Sequence, residues 1–279
     1  MKIGFIDYFL DEWHANNYPA WIKEASNGEM EVAYAYAMID SPHGGLTTDE
    51  WCEKYGIERC KTIEELVEKS DVLVVLSPDN CEMHEELCQI PLRSKKPTYV
   101  DKTFAPDLAT ARRIFEIAEQ SGTPCYTTSA LRYAAEYRVV DKSCVEAASL
   151  WGGGSFETYS IHQLEPLVML MNAQAKRVMY LPGNGWLTLN IEFEDGRYGT
   201  ITQFENWSPF VSNICTSKGC HLLNIESDFF HEFILELIDF FKTGSEKVPH
   251  RETLMIMALR EAGIKAQKQP AEWVSVERI

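Results

Sequence analysis

Long hydrophobic runs and an excess of basic charge are both missing from this sequence. No apolar run reaches the roughly 20 residues that a membrane-spanning helix needs, and the opening residues MKIGFIDYFL lack the features of a secretory signal. Acidic side chains outnumber basic ones by 42 to 26, whereas nucleic-acid binding depends on clustered Lys and Arg. The sequence therefore predicts a cytoplasmic protein that binds neither membranes nor nucleic acid.

Paired cysteines are missing as well. The chain has 8 cysteines, but they are scattered and none has the C-x2-C spacing of a structural zinc site. Two groupings combine cysteine with histidine, namely Cys81, His84 and Cys88, and Cys215, Cys220 and His221. We expect reduced thiols and no bound metal.

Glycine is absent from the loop after the first predicted strand, Lys2 to Ile6. A dinucleotide-binding domain has G-x-G-x-x-G at this point. Those glycines allow a tight turn and let the backbone approach a pyrophosphate at the next helix N-terminus. Residues 7–12 instead read Asp-Tyr-Phe-Leu-Asp-Glu. Phe9 would fill the space that the phosphates need, and the neighbouring acids would repel them, so the loop argues against ordinary dinucleotide binding.

The stretch Asp71 to Thr103 predicts a parallel βαβ unit. Its first part, Val72 to Leu76, is a short continuous apolar run that indicates a strand buried on both faces. Helical spacing follows over 82–92, and Thr98 to Val100 indicates a second strand. Parallel sheets place ligands at the carboxyl ends of their strands. The residues that fall there are Ser77, Pro78, Asp101 and Lys102.

Other patterns extend this N-terminal α/β arrangement. Capping-box spacings predict helices over 48–55 and 63–69, with a short strand at 58–61 between them. A second strand over 31–37 is followed by Asp40, which is either an acceptor for ribose hydroxyls or a plain turn residue. A helix is predicted from 108 to Gly122, and a last parallel strand over 124–127.

The second half of the chain reads mainly as strands. A glycine-rich motif, GGGSFETYSIHQLE, occupies residues 152–165, and an apolar helix is predicted over 163–171. Asp195-Gly196 between two alternating runs is a strong hairpin signal. The predicted strands are 186–194, 197–204, 210–215 and 220–225, followed by helices over 227–242 and 251–267.

The order and spacing of these motifs resemble the Gfo/Idh/MocA family, the relatives of glucose-fructose oxidoreductase and inositol dehydrogenase. Where the family has Glu-Lys-Pro, this chain has Asp101-Lys102-Thr103. Where the family has GGG-x-x-x-D-x-G-x-H-x-x-D, residues 152–165 keep His162 but carry Thr158 for the first acid and Glu165 for the second. The resemblance implies a Rossmann-like parallel-sheet domain over 1–128. It also implies an α+β domain with an open, mainly antiparallel sheet over 129–279.

The resemblance also implies a function, that of an NAD- or NADP-dependent oxidoreductase acting on a sugar, polyol or similar hydroxy compound. In the family the lysine matched by Lys102 lies beside the nicotinamide and the substrate hydroxyl, and the histidine matched by His162 acts on that hydroxyl as acid or base. Ordinary alternatives stay open, because Lys102 could be a solvated charge and His162 could bond the backbone. The cofactor-binding candidates are Ser77, Pro78, Asp101 and Asp40.

The departures from the family pattern keep a second hypothesis open. The missing glycines, Thr158 and Thr103 favour a member that has lost the redox cofactor and serves as a binding or regulatory protein. Under either hypothesis we expect a small-molecule ligand. We also expect a homo-oligomer formed through the C-terminal sheet, because aromatic residues accompany its strands, namely Trp186, Trp207 and Phe210.

Overall fold

The computed structural model describes all 279 residues and divides into two compact units. The first contains residues 1–127 and 233–249, and the second contains 128–232 and 250–279. The sequence suggested a single boundary after residue 128, so the return of residues 233–249 to the first unit was not foreseen. None of the helices is both long and apolar enough to cross a bilayer.

The first unit is built on a six-stranded parallel sheet with the order β3-β2-β1-β4-β5-β6. Its strands are short apolar runs, and all four residues of β4 are buried, as expected for a sheet covered on both faces. Strand order reverses between β1 and β4, the point at which such sheets bind ligands. The strands are β1 (Lys2–Asp7), β2 (Glu31–Ala37), β3 (Glu58–Arg59), β4 (Val72–Val75), β5 (Thr98–Val100) and β6 (Cys125–Tyr126).

Helices connect these parallel strands, and local sequence signals set their ends. Thr47 and Glu50 form a reciprocal capping box at the start of α2, and Gly122 ends α5 in a left-handed conformation that glycine adopts without steric cost. Both features were predicted. The helices before the second unit are α1 (Trp13–Ala25), α2 (Thr48–Tyr55), α3 (Ile63–Lys69), α4 (His84–Leu87) and α5 (Leu108–Ser121).

The crossover between β4 and β5 differs from the single helix predicted over 82–92. The structure has a 3-10 turn at Cys81–Met83, the four-residue α4, and another 3-10 turn at Pro91–Arg93. Pro91 lacks the amide hydrogen that a continuing helix needs, so helical spacing of apolar residues was not sufficient here.

The second unit contains a seven-stranded mixed sheet with the order β12-β11-β7-β10-β9-β8-β13. Only the β7–β10 pair is parallel, and all other pairs are antiparallel. The predicted fold class, a Rossmann-like domain followed by an open and mainly antiparallel sheet, is therefore confirmed. The strands are β7 (Val145–Gly153), β8 (Ala175–Pro182), β9 (Trp186–Phe193), β10 (Tyr198–Phe204), β11 (Val211–Thr216), β12 (Gly219–Asn224) and β13 (Trp273–Ser275).

Three helices complete the chain. In the second unit, α6 packs on β7 and β10, and α8 packs on α6, β8 and β13. The third helix, α7, begins in the second unit and ends in the first. The bounds are α6 (Phe156–Met171), α7 (Phe229–Thr243) and α8 (His250–Ala266).

Candidate functional site

The carboxyl ends of β1, β4 and β5 bring three polar residues together at the switch point of the parallel sheet. Asp7 ends β1, Ser77 lies just after β4, and Asp101 follows β5, and all three are buried. The hydrogen bonding between β4 and β5 continues to this edge, since the Asp101 amide donates to the Val75 carbonyl at 2.8 Å. Buried polar groups at the carboxyl edge of such a sheet mark the place to look for function.

Asp101 lies against a histidine that sequence reasoning did not single out. His14 Nδ1 lies 2.6 Å from Asp101 Oδ2, and the two side chains are 8% and 1% exposed. The Tyr99 hydroxyl donates to the other oxygen, Oδ1, at 3.1 Å. Burial alone would raise the pKa of Asp101, but His14 and then Lys102 oppose it and hold that pKa below its ordinary value. Asp101 is therefore an ionised carboxylate inside the fold.

Lys102 comes next after Asp101, at the carboxyl end of β5. Its side chain is half-buried, and its ammonium is in no ion pair or hydrogen bond within the protein. Lys69 of the same unit, by contrast, is paired with Glu58 and Glu65. Lys102 thus has three donors available for a ligand.

The N-terminus of α1 is occupied by a side chain of the protein itself. The Glu12 carboxylate accepts hydrogen bonds from the amide of His14 at 2.7 Å and from the amide of Ala15. These are the amides that would face a bound anion at the start of this helix. Burial raises the pKa of Glu12 to about 7, against the lowering effect of His14.

The rest of the β1–α1 loop is filled as well. Phe9 and Leu10 are buried, and the Phe9 ring makes edge contacts with Tyr8 and His43. Asp11 Oδ2 accepts from the amide of Leu46 at 2.9 Å, which ties the loop to the segment before α2. Phe9 is therefore packed inside the loop, and Asp11 holds the loop in place.

The remaining cofactor-binding candidates have partners inside the protein. The Ser77 hydroxyl donates to the carbonyl of Asn80 at 3.0 Å, and Ser77 has a positive φ of 80°. Pro78 lies beside it and is buried. Asp40 accepts from the amide and the hydroxyl of Thr48, whose bonds lower the pKa of Asp40. Asp40 therefore fixes the start of α2, and whether Ser77, Pro78 and Asp40 contact a cofactor stays a prediction.

His162 lies in the second unit, in the second turn of α6 and not at a helix start. Its Nδ1 is 2.8 Å from the Ser129 hydroxyl, and the rings of Tyr159 and Phe210 flank it edge-on. The side chain is half-buried. A hydroxyl partner on Nδ1 and aromatic neighbours fix the orientation of the ring, as an acid–base role requires.

The glycine run before α6 is explained by close packing. A Cβ on Gly153 would come within 2.9 Å of the Ser208 amide nitrogen, and Gly154 has a φ of +99° that side-chain-bearing residues rarely adopt. The run therefore lets the end of β7 pass against the 206–208 loop before α6 begins. This fixes the position of the helix that carries His162.

Glu165, the last residue of the glycine motif, belongs to a buried charge network in the second unit. Arg132 donates to Glu165 at 2.7 Å and also to Glu252, and the Arg132 and Glu165 side chains are 9% and 3% exposed. The Thr128 hydroxyl donates to Glu165 at 2.9 Å. The Arg132 guanidinium is therefore almost fully enclosed between two carboxylates.

Neither cysteine–histidine grouping forms a metal site. No group of three or more His, Cys, Asp or Glu side chains is arranged to hold a metal ion. The His84 ring is fully buried and bonds two backbone carbonyls, those of Phe104 at 2.9 Å and of Leu76. All eight cysteines are free thiols.

A Rossmann-like parallel-sheet unit with buried polar residues at its switch point, followed by an open mixed sheet, defines a class of two-domain nucleotide-binding-type proteins. Residues 24–129 match the model of the GFO_IDH_MocA family, described as an oxidoreductase family with an NAD-binding Rossmann fold. The resemblance to the Gfo/Idh/MocA family is thereby confirmed. The match begins after the β1–α1 loop, the part of this unit that departs from the family pattern.

Solved structures of similar fold cover both units. Scyllo-inositol dehydrogenase of Lactobacillus casei has a TM-score of 0.78 at 12% identity, covering 98% of this chain and 97% of its own. Myo-inositol 2-dehydrogenase of Lactobacillus plantarum has a TM-score of 0.77 at 10% identity, with 99% of each chain covered. GenD2 of gentamicin A biosynthesis, solved with NAD, has a TM-score of 0.78 at 12% identity, covering 99% and 97%. These likenesses show a shared fold.

A comparison with curated protein sequences gives no match.

The residues of the β1–α1 loop do not fit the diphosphate of NAD or NADP. A diphosphate at this helix would need the amides that Glu12 already binds, and it would have to displace the buried Phe9 and Leu10. The fold is that of an NAD-binding family, but the phosphate-binding end of α1 has been rebuilt. Any dinucleotide on this domain would have to bind without that contact.

Local patterns gave no signal for the His14–Asp101 pair. The two residues are 87 positions apart (101 − 14), and only the parallel order of β1 and β5 in the sheet brings them together. Glu12 was recognised as an acid in the loop, but its capping role was not, because Glu is not among the residues preferred at an N-cap. A carboxylate two residues before a histidine, shortly after the first predicted strand, was the available clue.

Proposed function

We propose that this protein is an oxidoreductase that acts on a sugar, a polyol or a similar hydroxy compound. The family match over residues 24–129 supports the reaction class. The observation that carries the proposal is Lys102, a half-buried lysine with no internal partner at the carboxyl end of β5. An ammonium in that position binds a hydroxyl oxygen and stabilises the negative charge that develops when the proton leaves.

In this proposal His162 exchanges the proton of the substrate hydroxyl. Imidazole is suited to this work because it takes up and releases protons near neutral pH. Ser129 contacts Nδ1 and holds the orientation of the ring. No step is assigned to a dinucleotide, because the α1 loop does not fit its diphosphate.

Turnover measurements with a lysine variant test the proposal. The native protein is first analysed by mass spectrometry for co-purified nucleotide. NAD or NADP is then added together with each compound of a panel of sugars and polyols, and the absorbance of the reduced nicotinamide is followed. We expect Lys102→Met to reduce turnover by about 100-fold or more, because it removes a charge that acts in the transition state. Lys61→Met, which removes an exposed lysine of the same unit, should leave turnover unchanged. Equal activity in both variants would contradict the role of Lys102.

A second candidate function is favoured by the Glu12 cap. A family member whose α1 amides are permanently satisfied from within can retain the hydroxy-compound site and lose the redox reaction. Such a protein would bind a sugar or polyol as a binding or regulatory protein. It would show no co-purified nucleotide and no turnover, yet calorimetry would detect binding of a panel compound that Lys102→Met weakens.

We also propose that two copies associate through the outward face of the C-terminal sheet. One face of that sheet carries α6 and α8, and strand register places exposed apolar residues on the opposite face. The exposed fractions are 48% for Trp151, 43% for Trp186, 48% for Tyr198 and 78% for Leu222. Apolar patches of this extent are unusual on a monomer and are typical of association sites.

Sedimentation tests this association. We expect an oligomer at micromolar concentration, and we expect Trp151→Asp combined with Leu222→Asp to convert it to a monomer, because two charges would be buried in the interface. Val139→Asp is the control, since Val139 is 65% exposed and lies outside the sheet. A wild-type protein that sediments only as a monomer would contradict the proposal.

A further inference from the structure

The buried pair of His14 and Asp101 has the geometry of a base and its orienting carboxylate. Asp101 Oδ2 lies 2.6 Å from Nδ1 of His14, and Tyr99 holds the other carboxylate oxygen. The Tyr18 ring stacks on the imidazole at 5.1 Å between centroids. An ionised carboxylate at this distance from Nδ1 favours a proton on that nitrogen, and the lone pair of the neutral ring is then on Nε2, as a general base needs.

A comparison with His84 separates this arrangement from a purely structural one. Both ring nitrogens of His84 are bonded to backbone carbonyls, so neither nitrogen is available to a ligand. In His14 neither ring nitrogen is bonded to a backbone carbonyl, and the one polar contact of the ring is that of Nδ1 with the Asp101 carboxylate. A histidine that serves packing alone has no reason to keep one nitrogen unbonded at the carboxyl edge of a parallel sheet.

The carboxylates around His14 are driven toward opposite protonation states. Burial raises the pKa of Asp7 well above its ordinary value, and the charges of Glu12 and Asp101 add to that effect. The pKa of Asp101 is instead lowered by His14 and Lys102 against the effect of burial. Titratable neighbours whose pKa values are pushed apart are the usual signature of acid–base sites. Asp7 Oδ2 has no hydrogen-bond partner although it is buried.

We propose that His14 is an acid–base residue that contacts the ligand of this site, and that Asp101 is its positioning residue. In the base direction, the O–H bond of a ligand hydroxyl other than the one assigned to His162 breaks, its electron pair stays on oxygen, and the proton binds to Nε2 of His14. Asp101 then faces an imidazolium and stabilises it. That the ligand is a hydroxy compound rests on the proposed function, whereas the reactive imidazole does not.

Acylation by diethyl pyrocarbonate tests the imidazole without any substrate. The reagent transfers an ethoxycarbonyl group to a neutral imidazole nitrogen and releases ethanol and carbon dioxide. With the full-length protein, and with sites mapped by peptide mass spectrometry, we expect His14 to react at least about tenfold faster than His84, since Nε2 is open and its lone pair is fixed. Asp101→Asn should slow His14 and leave the exposed His43 unchanged. A His14 as inert as His84 would overturn the proposal.

A conservative variant tests the acid–base role in turnover. The amide nitrogen of Asn occupies the position of Nδ1, so His14→Asn keeps an N–H group beside Asp101 and removes Nε2. We expect it to fold with a melting temperature close to wild type and to lower the turnover of any active panel compound by about 10²- to 10⁴-fold. Full activity would overturn the acid–base role. If no panel compound is turned over, the oxidoreductase proposal fails. The acylation rates still test whether His14 has a reactive imidazole.

Discussion

Calorimetric titration with NADH is expected to show weak binding, close to millimolar, that becomes about tenfold tighter in Glu12→Ala. The reason is the occupied helix N-terminus, where Glu12 accepts from the amides of His14 and Ala15. Each favourable interaction between an anion and a helix N-terminus is worth on the order of 0.3–1 kcal/mol, and NADH cannot make these interactions while Glu12 binds the amides. Without the carboxylate, the amides are free to donate hydrogen bonds to the phosphates of NADH. The gain is limited because Phe9 and Leu10 remain buried in the loop beside the start of α1.

The pH dependence of this binding follows from the protonation of Glu12. Because burial raises the pKa of Glu12 to about 7, against the opposing effect of His14, the side chain is largely neutral below that pH and charged above it. The phosphates of NADH are anionic throughout. Affinity should therefore fall as the pH rises from about 6 to about 8. Glu12→Ala should lack this part of the pH dependence.

Glu24→Ala is the matched control for this experiment. It removes the same charge from an exposed position near the other end of α1, far from the capped amides. It should leave the affinity for NADH unchanged. Low-micromolar binding by the wild type, with no gain in Glu12→Ala, would mean that the cap does not exclude the diphosphate, and it would strengthen the oxidoreductase proposal.

The elements of the first unit were largely predictable, because its strands are short apolar runs separated by capping and stop signals. The capping-box spacings at Thr47 and Thr62 located α2 and α3, and the run Val72 to Val75 located β4. The order of the strands in the sheet and the burial of side chains at its carboxyl edge depend on contacts between residues far apart in the sequence. Local sequence patterns therefore do not predict these two features.

The second unit shows where local reasoning fails. The strand β7 was not predicted, since its central residues Ala147, Ala148 and Ser149 are small and weakly strand-forming. It forms because β10 and β11 pair with it on both sides. His162 was found because a motif surrounds it, whereas His14 was missed because its partner Asp101 is supplied only by the fold.

The largest effect on stability is expected from Arg132→Met in the second unit. The substitution leaves Glu165 inside the protein without its main counter-charge, beside a Glu252 that loses the same partner. Breaking a buried ion pair from one side costs about 3–5 kcal/mol, because a charge stays desolvated and uncompensated. Thermal and urea unfolding should show this loss. Arg138→Met, which breaks an ion pair at a 64% exposed arginine, should cost at most about 1 kcal/mol.

A second substitution separates the uncompensated charge from lost packing. Adding Glu165→Gln to Arg132→Met removes the uncompensated charge, so the double variant should be more stable than Arg132→Met alone.

The stability loss in Arg132→Met should also depend on pH, because it comes from the charge of Glu165. Burial already raises the pKa of Glu165 against the opposing effect of Arg132, and without that arginine the carboxyl is more readily protonated. The penalty of Arg132→Met should therefore be smaller at acidic pH and grow as Glu165 ionises. A loss that does not change with pH, and that Glu165→Gln does not relieve, would show that Arg132 acts through packing and not through its charge.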